Sequence, residues 1–271
     1  LVVALARPQF GSKLKEVTRT GIEMMLAVDV SNSMLAQDFE PSRLERTKFA
    51  IDRLTQQLEQ DRIGLIVFAG DAYMQLPITS DYVAARSFAA QISPTMVSKQ
   101  GTAIGAAIDL AASSFSSGSE GSRVIVVISD GENHEDDALA AAKAAAEKGI
   151  RIYTIGIGTP EGAPISIDGE FIKDEQGDMV VSKLDEQMLE QIALTTGGAY
   201  IRATNRSLGL DEIVQKINEV EKKELTSTVF EDFNEQYQYL IGLALALLLL
   251  EFAMLERRSR LLARFNIFRK R

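Results

Sequence analysis

The chain reads as an α/β protein with a doubly wound, mostly parallel sheet and helices on both faces. Three observations predict this. Short apolar runs alternate with stretches of helical period from residue 22 to residue 223. The apolar runs are not interrupted by polar residues at every second position, so both faces of each strand are expected to be buried. A chain of 271 residues, 46% of them hydrophobic, is also long enough for one sizeable core.

The first strand is Ile22–Asp29, rich in Met, Leu and Val. A helical pattern over Arg43–Leu58 leads to strand Arg62–Phe68. Tyr73–Leu76 follows too soon for a crossover and is predicted as an antiparallel edge strand. Helices Tyr82–Ile92 and Ala103–Phe115 precede strand Arg123–Ser129, and helix Asp136–Lys148 leads into strand Ile150–Ile157. Between Gly158 and Lys183 the rhythm breaks into Gly, Asp, Pro and short apolar pairs. A hairpin insertion (about residues 159–183) is expected there, with arms at Phe171-Ile172 and Met179–Val181. Helix Asp185–Thr195, strand Ala199–Arg202 and helix Leu208–Lys223 complete the body, which shows no internal repeat.

The two ends differ from this body. Residues 237–255 read YQYLIGLALALLLLEFAML, long enough for a transmembrane helix and apolar on every side, with Tyr237 and Tyr239 at one end. Glu251 lies near the other end, within reach of headgroups. From Glu256 onward seven Arg and Lys face one Glu, a net +6; the chain total of −9 therefore leaves −15 for the rest. A body this acidic argues against nucleic acid, whose phosphates it would repel. The basic tail suits anionic headgroups and, by the positive-inside rule, the cytoplasm. The opening Leu1–Ala6, followed by Arg7-Pro8, is too short to span; it reads as the last turns of a truncated membrane helix or as an edge strand. The chain starts without Met, so a preceding segment is expected. The predicted organisation is a membrane-exit segment and lead-in strand (1–20), a globular domain (21–204), a helix and tether (205–236), a membrane helix (237–255) and a basic tail (256–271).

The chain contains no Cys, which excludes disulfides, thiolate metal sites and a Cys nucleophile. The informative motif is Asp29-Val-Ser31-Asn-Ser33, at the end of the first strand. In a loop, its carboxylate and two hydroxyls can converge on one hard cation. Gly101-Thr102 opens the Ala103 helix, and Asp130-Gly131 ends the Arg123 strand, so three segments bring oxygen atoms to the carboxyl edge of the sheet. Each has a plain reading when taken singly: a Ser or Asx turn for 29–33, a helix N-cap for Thr102, a turn for Asp130-Gly131. His134, the only histidine, is expected at the start of the Asp136 helix. Asp38, Asp71 and Asp81 read as solvated loop acids. Met34, Leu35 and Phe39 read either as a rim beside the cation or as side chains folded back onto the core. Gly156-x-Gly158 with Gly162 is read as a strand exit, not a nucleotide loop, because Pro160 intervenes and no helix follows.

Asp29-x-Ser31-x-Ser33, Thr102 and Asp130-Gly131, in this order over Gly21 to Arg202, resemble the von Willebrand factor A domain and its metal-ion-dependent adhesion site. Ala6-Arg-Pro-Gln9, Arg43-Leu-Glu-Arg46, Gly64–Gly70, Gln100-Gly-Thr-Ala103, Ile155–Pro164 and Thr196-Gly-Gly-Ala-Tyr200 are similar to the bacterial Bat (aerotolerance) family, of the BatB type. The resemblance implies that Ser31, Ser33 and Thr102 bind Mg²⁺, or another hard divalent cation such as Ca²⁺ or Mn²⁺, directly. Asp29 and Asp130 would act through waters or hydrogen bonds to those hydroxyls. It further implies a non-enzymatic, inner-membrane protein with its A domain on the periplasmic side, hydrophobic helices before the domain and one after it. The implied partners are proteins offering an acidic residue to the metal, among them other Bat-type membrane proteins and a MoxR-type ATPase.

Three other readings compete. A Mg²⁺-dependent phosphohydrolase would want a second acid two residues after Asp29, where Ser31 stands. A serine hydrolase would want a Gly-x-Ser-x-Gly elbow, which the sequence lacks, and would have only His134 as base. A chelatase-like subunit would share the A domain without calling for a membrane helix.

Overall fold

The structure is a computed structural model, described over residues 9–12, 21–58, 61–115, 122–133, 135–167, 169–229, 233–235 and 237–256. The chain forms two compact units: Arg19–Glu221, and Leu1–Thr18 together with Lys222–Arg271.

In the larger unit six strands form one sheet: β1 (Glu23–Asp29), β2 (Arg62–Phe68), β3 (Ala72–Thr79), β4 (Arg123–Ser129), β5 (Arg151–Gly156) and β6 (Tyr200–Arg202). Their order is β6-β5-β4-β1-β2-β3. All neighbouring pairs are parallel except β2 with β3, the edge strand expected to run the other way. β3 is longer than the pattern 73–76 suggested. Its pairing with β2 continues past Pro77 to Thr79, because an edge strand needs no donor on its outer side.

Helices α1 (Arg43–Gln57), α2 (Tyr82–Ala90), α3 (Ile104–Ser113), α4 (Ala138–Glu147), α5 (Glu186–Thr195) and α6 (Leu210–Val229) alternate with the strands. The residue alternation of β1 divides the core. Met24, Leu26 and Val28 pack with Leu44, Ile51 and Leu54 of α1 and Ile213 and Ile217 of α6. Met25 and Ala27 pack with the Ala-rich faces of α3 and α4 and with Leu189 and Ile192 of α5. Ser42, Asp81, Asp137 and Asp185 cap α1, α2, α4 and α5 through side-chain oxygens. Asp81 is therefore a helix cap, not a merely solvated acid.

The chain leaves β1 toward β2 on one side and reaches β4 on the other only after α3. The crevice beyond the carboxyl ends of β1 and β4 is the switch point of the sheet. Between Gly158 and Lys183 the insertion is richer than one hairpin. Ser166–Ile167 pairs with Glu170–Phe171, Ala163–Pro164 pairs with Val181–Ser182, and Lys173 bridges Met179. The extra strands, Ala163–Pro164 and Ser166–Ile167, are illegible in the sequence because Pro164 and the glycines around it read as loop.

In the smaller unit Gln9–Ser12 pairs antiparallel with Phe233–Glu235. The helix expected over 237–255 forms as α7 (Tyr237–Glu256). Ile241, Leu243, Leu245 and Leu247 to Leu250 stand exposed on it. Among the described residues no helix is long and apolar enough to cross a membrane, so the crossing expected there is not shown. Leu1–Ala6, the tail after Glu256 and His134 lie outside the described residues.

Candidate functional site

β1 delivers Asp29 fully buried to the switch point, and the chain then turns through Ser31 into a short 3₁₀ turn, Asn32–Leu35. Both carboxylate oxygens of Asp29 are engaged. Oδ1 accepts from the Ser31 amide at 2.8 Å, and Oδ2 accepts from Ser129 Oγ, on neighbouring β4, at 2.7 Å. The turn brings Ser31 Oγ and Ser33 Oγ to 2.8 Å of each other. Both serines are nearly buried. Burial, followed by the charge of Asp130, pushes the Asp29 carboxyl up to about 7, against the opposing pull of the Ser129 and Ser31 hydrogen bonds.

The loop carrying Thr102 is pinned beside β2. Ala103 N donates to Ala69 O at 2.7 Å and Gly70 N to Lys99 O at 3.0 Å, and Thr102 is 4% exposed. Thr102 is not the N-cap of α3. That position is Ala103, which has no side-chain cap of its own. The free amides of the first turn are capped instead from the loop after β4. Asn133 Oδ1 accepts from Ile104 N at 3.1 Å, and the Asp136 carboxylate accepts from Gly105 N at 3.0 Å and Ala106 N at 2.7 Å. The Thr102 loop and the Asp130 loop are thereby locked together, and capping does not consume the Thr102 hydroxyl.

Asp130, fully buried, accepts at Oδ2 from Ser182 Oγ at 3.0 Å and from Arg43 Nη1 at 3.1 Å; its Oδ1 accepts from Glu132 N at 3.3 Å. Arg43 was not picked out from the sequence as a site residue. Its guanidinium is completely buried and grips both oxygens of Asp38, at 2.8 and 2.7 Å. Nη1 also donates to Ser182 Oγ at 2.7 Å and to Ser33 O at 3.4 Å. Burial pushes the Asp38 carboxyl up, but the Arg43 hydrogen bonds and charge, with help from Thr159, outweigh this and hold it below the usual carboxylate range. Asp38 is thus half of a buried ion pair, contrary to the expectation of a solvated acid; Asp71 is exposed as expected. Gly158, at φ 142°, leaves room for the pair: a Cβ there would lie 3.0 Å from Arg43 Cζ. Nothing local marks Arg43, the first residue of α1. Only its long-range partners, Asp130 and Ser182, reveal it. Of the candidate rim, Met34 and Phe39 fold into the core and Leu35 remains partly exposed.

The site therefore brings Asp29, Ser31 and Ser33 into one buried network, with Asp130 joined to Ser33 through Arg43 and the Thr102 loop pinned alongside. Among the described residues no group of three or more His, Cys, Asp or Glu side chains is placed to hold a metal ion. The serine pair fits one. With Mg²⁺–oxygen distances of about 2.0–2.1 Å, adjacent octahedral ligands stand about 2.9 Å apart, close to the 2.8 Å of the Ser31 and Ser33 oxygens.

The sequence profile of the von Willebrand factor type A domain matches residues 23–216. A solved structure of BatB from Bacteroides thetaiotaomicron, a conserved hypothetical protein, is 51% identical and covers 74% of this chain and 100% of that one, with a TM-score of 0.72. An aerotolerance-related membrane protein from Bacteroides fragilis, bearing multiple mutations to serine, is 52% identical over 73% of this chain and 100% of its own, with a TM-score of 0.70. An uncharacterized protein of Borreliella burgdorferi is 30% identical over 257 residues, 93% of this chain and 74% of that protein. With the profile spanning well over half of its length, the chain belongs to the von Willebrand factor type A domain family, and within it is similar to the BatB aerotolerance-related proteins of Bacteroides.

Proposed function

We propose that this protein is a membrane-anchored module that grips partner proteins through a divalent cation held by Ser31, Ser33 and Thr102, with Asp29 and Asp130 behind them. The single observation that carries the reading is the 2.8 Å approach of the two serine hydroxyls above a fully buried Asp29. Two buried carboxylates lie close enough for Asp130 to raise the Asp29 carboxyl, as expected where a positive charge belongs. Bound at these hydroxyls, Mg²⁺ or a similar hard ion would stay under-neutralised and would offer an open position to a partner's carboxylate.

Asp29 orients the Ser31 backbone and Ser129, and Arg43 with Ser182 hold one oxygen of Asp130. Because both oxygens of Asp29 already accept hydrogen bonds in a buried setting, it is poorly placed as a phosphohydrolase nucleophile. Binding, not bond breaking, is the activity this arrangement favours.

Membrane attachment through 237–255 is supported by the exposed apolar side chains of α7 and by a similar protein being a membrane protein. The basic tail supports a cytoplasmic location for that end and a periplasmic one for the acidic domain, at a bacterial inner membrane. The partners proposed are other Bat-type membrane proteins, in a complex served by a MoxR-type ATPase.

The test is thermal unfolding of the chain in lipid nanodiscs with Mg²⁺, Mn²⁺ or Ca²⁺ against EDTA, alongside capture of membrane partners under the same conditions. The ion is expected to raise the unfolding temperature of the wild type, as any ligand selective for the folded state must, and to leave Ser31→Ala/Ser33→Ala unchanged. Identical unfolding and capture in ion and chelator would rule the reading out.

A further inference from the structure

An open groove of about 570 Å³ runs beside the candidate cation site. Its walls come from three places: Asn32 and Leu35 of the turn that carries the serines, Val97 and Gln100 of the segment before Thr102, and Ser166 and Ile167 of the insertion. None of the described residues that line it carries a charge. The groove thus adjoins both segments that supply the hydroxyls, and the insertion forms its far wall.

The insertion is tied firmly to the site at its two ends. Thr159 N donates to Asp38 Oδ2 at 3.0 Å, Ser182 Oγ to Asp130 Oδ2 at 3.0 Å and Lys183 N to Glu132 Oε1 at 2.8 Å. Between these anchors Ile165 is buried, but four large apolar side chains stand outward: Ile167 is 37% exposed, Phe171 49%, Met179 54% and Val181 45%. A segment fixed at its base that leaves four large apolar side chains in water within fifteen residues is built to meet something.

We propose that the 159–183 insertion is the specificity element of this domain. With Leu35 and Val97 it forms a groove for a partner segment in which one acidic side chain is followed by a large apolar one. The proposal rests on the cation-binding reading above: the acid reaches the metal, and the apolar neighbour enters the groove. Charge chooses this occupant over a polyacidic segment. Among the described residues its lining offers no cationic side chain to further acids, Lys99 beside it being paired with Glu135, and a body of net charge −15 repels them.

The experiment measures fluorescence anisotropy of the full chain in lipid nanodiscs with capped, glycine-flanked peptides, in Mg²⁺ and in EDTA. One peptide carries aspartate followed by leucine, the second aspartate followed by glycine, the third asparagine followed by leucine. In Mg²⁺ the aspartate–leucine peptide is expected to bind about tenfold tighter than aspartate–glycine, as partial burial of a leucine side chain gives. Ile167→Ser, at an exposed position that the core does not need, should erase that ratio and leave aspartate–glycine binding unchanged; Leu35→Ser should do the same. A ratio near one, or a ratio that survives both substitutions, overturns the groove while Mg²⁺-dependent aspartate binding still stands. Binding that ignores EDTA, or no binding by any peptide up to millimolar concentration, removes the cation reading and the groove with it.

Discussion

Replacing Arg43 with methionine tests the centre of this architecture. The guanidinium is completely buried, and its strong contacts are the two to Asp38 and those to Asp130 and Ser182, all between 2.7 and 3.1 Å. Methionine keeps much of the volume and removes the charge, leaving two buried carboxylates without a counter-ion. Breaking a buried pair from one side costs about 3–5 kcal/mol. Twice that figure is not expected, because Asp38 keeps its Thr159 donors and Asp130 keeps Ser182 and Glu132. At about 2–4 °C per kcal/mol for a domain of this size, the unfolding temperature should fall by roughly 10 °C. Arg43→Lys should lose less, since it keeps the charge but not the planar fork that spans both Asp38 oxygens.

Circular dichroism melts in EDTA keep cation binding out of the measurement. The decisive arm is Arg43→Met/Asp38→Asn. Asparagine removes one orphaned charge, so the double variant should recover part of the loss, a coupling of about 1–2 kcal/mol. If Arg43→Met melts within about 2 °C of wild type, or if Asp38→Asn adds its full cost on top, the buried ion pair is not what joins α1, the Asp130 loop and the insertion.

Two further outcomes follow from the same site. Asp136→Ala removes the acceptor of two first-turn amides of α3 and should cost about 1–2 kcal/mol by thermal melt. It should also weaken Mg²⁺-induced stabilisation, because it frees the Thr102 loop from the Asp130 loop; an unchanged Mg²⁺ response would separate the two. The depressed Asp38 carboxyl implies that the unfolded state takes up its proton first as pH falls. Its contribution is therefore complete above the unfolded carboxylate value of about 4 and is lost as pH drops below it, toward the folded value. Melts of Asp38→Asn against wild type should converge over that acid window, and parallel curves there would contradict the pairing.

The sequence by itself determined the layered α/β architecture and the arrival of Asp29 and Asp130 at the carboxyl ends of neighbouring strands. Both are written locally. Uninterrupted apolar runs must be buried on two faces, and a strand that ends in Asp29-x-Ser31-x-Ser33 can present its oxygens only past its last residue. Strand edges such as the start of Arg62–Phe68 and both ends of Arg123–Ser129 were legible to the residue because charge or hydroxyl punctuation bounds them. What only the tertiary structure decided is how those donors are held. Arg43 looks like an ordinary first-turn arginine of an amphipathic helix; it becomes the hub because folding brings Asp130, 87 residues away, and Ser182, 139 residues away, to its nitrogens. Thr102 reads as a cap until Asn133 and Asp136, from another loop, cap that helix in its place. The insertion likewise reads as a single hairpin, since its further short strands pair only with each other and its anchors lie across the site. Local pattern reports which surfaces a segment must hide, whereas the partner of a buried charge is set by chain topology, and no spacing in the sequence encodes it.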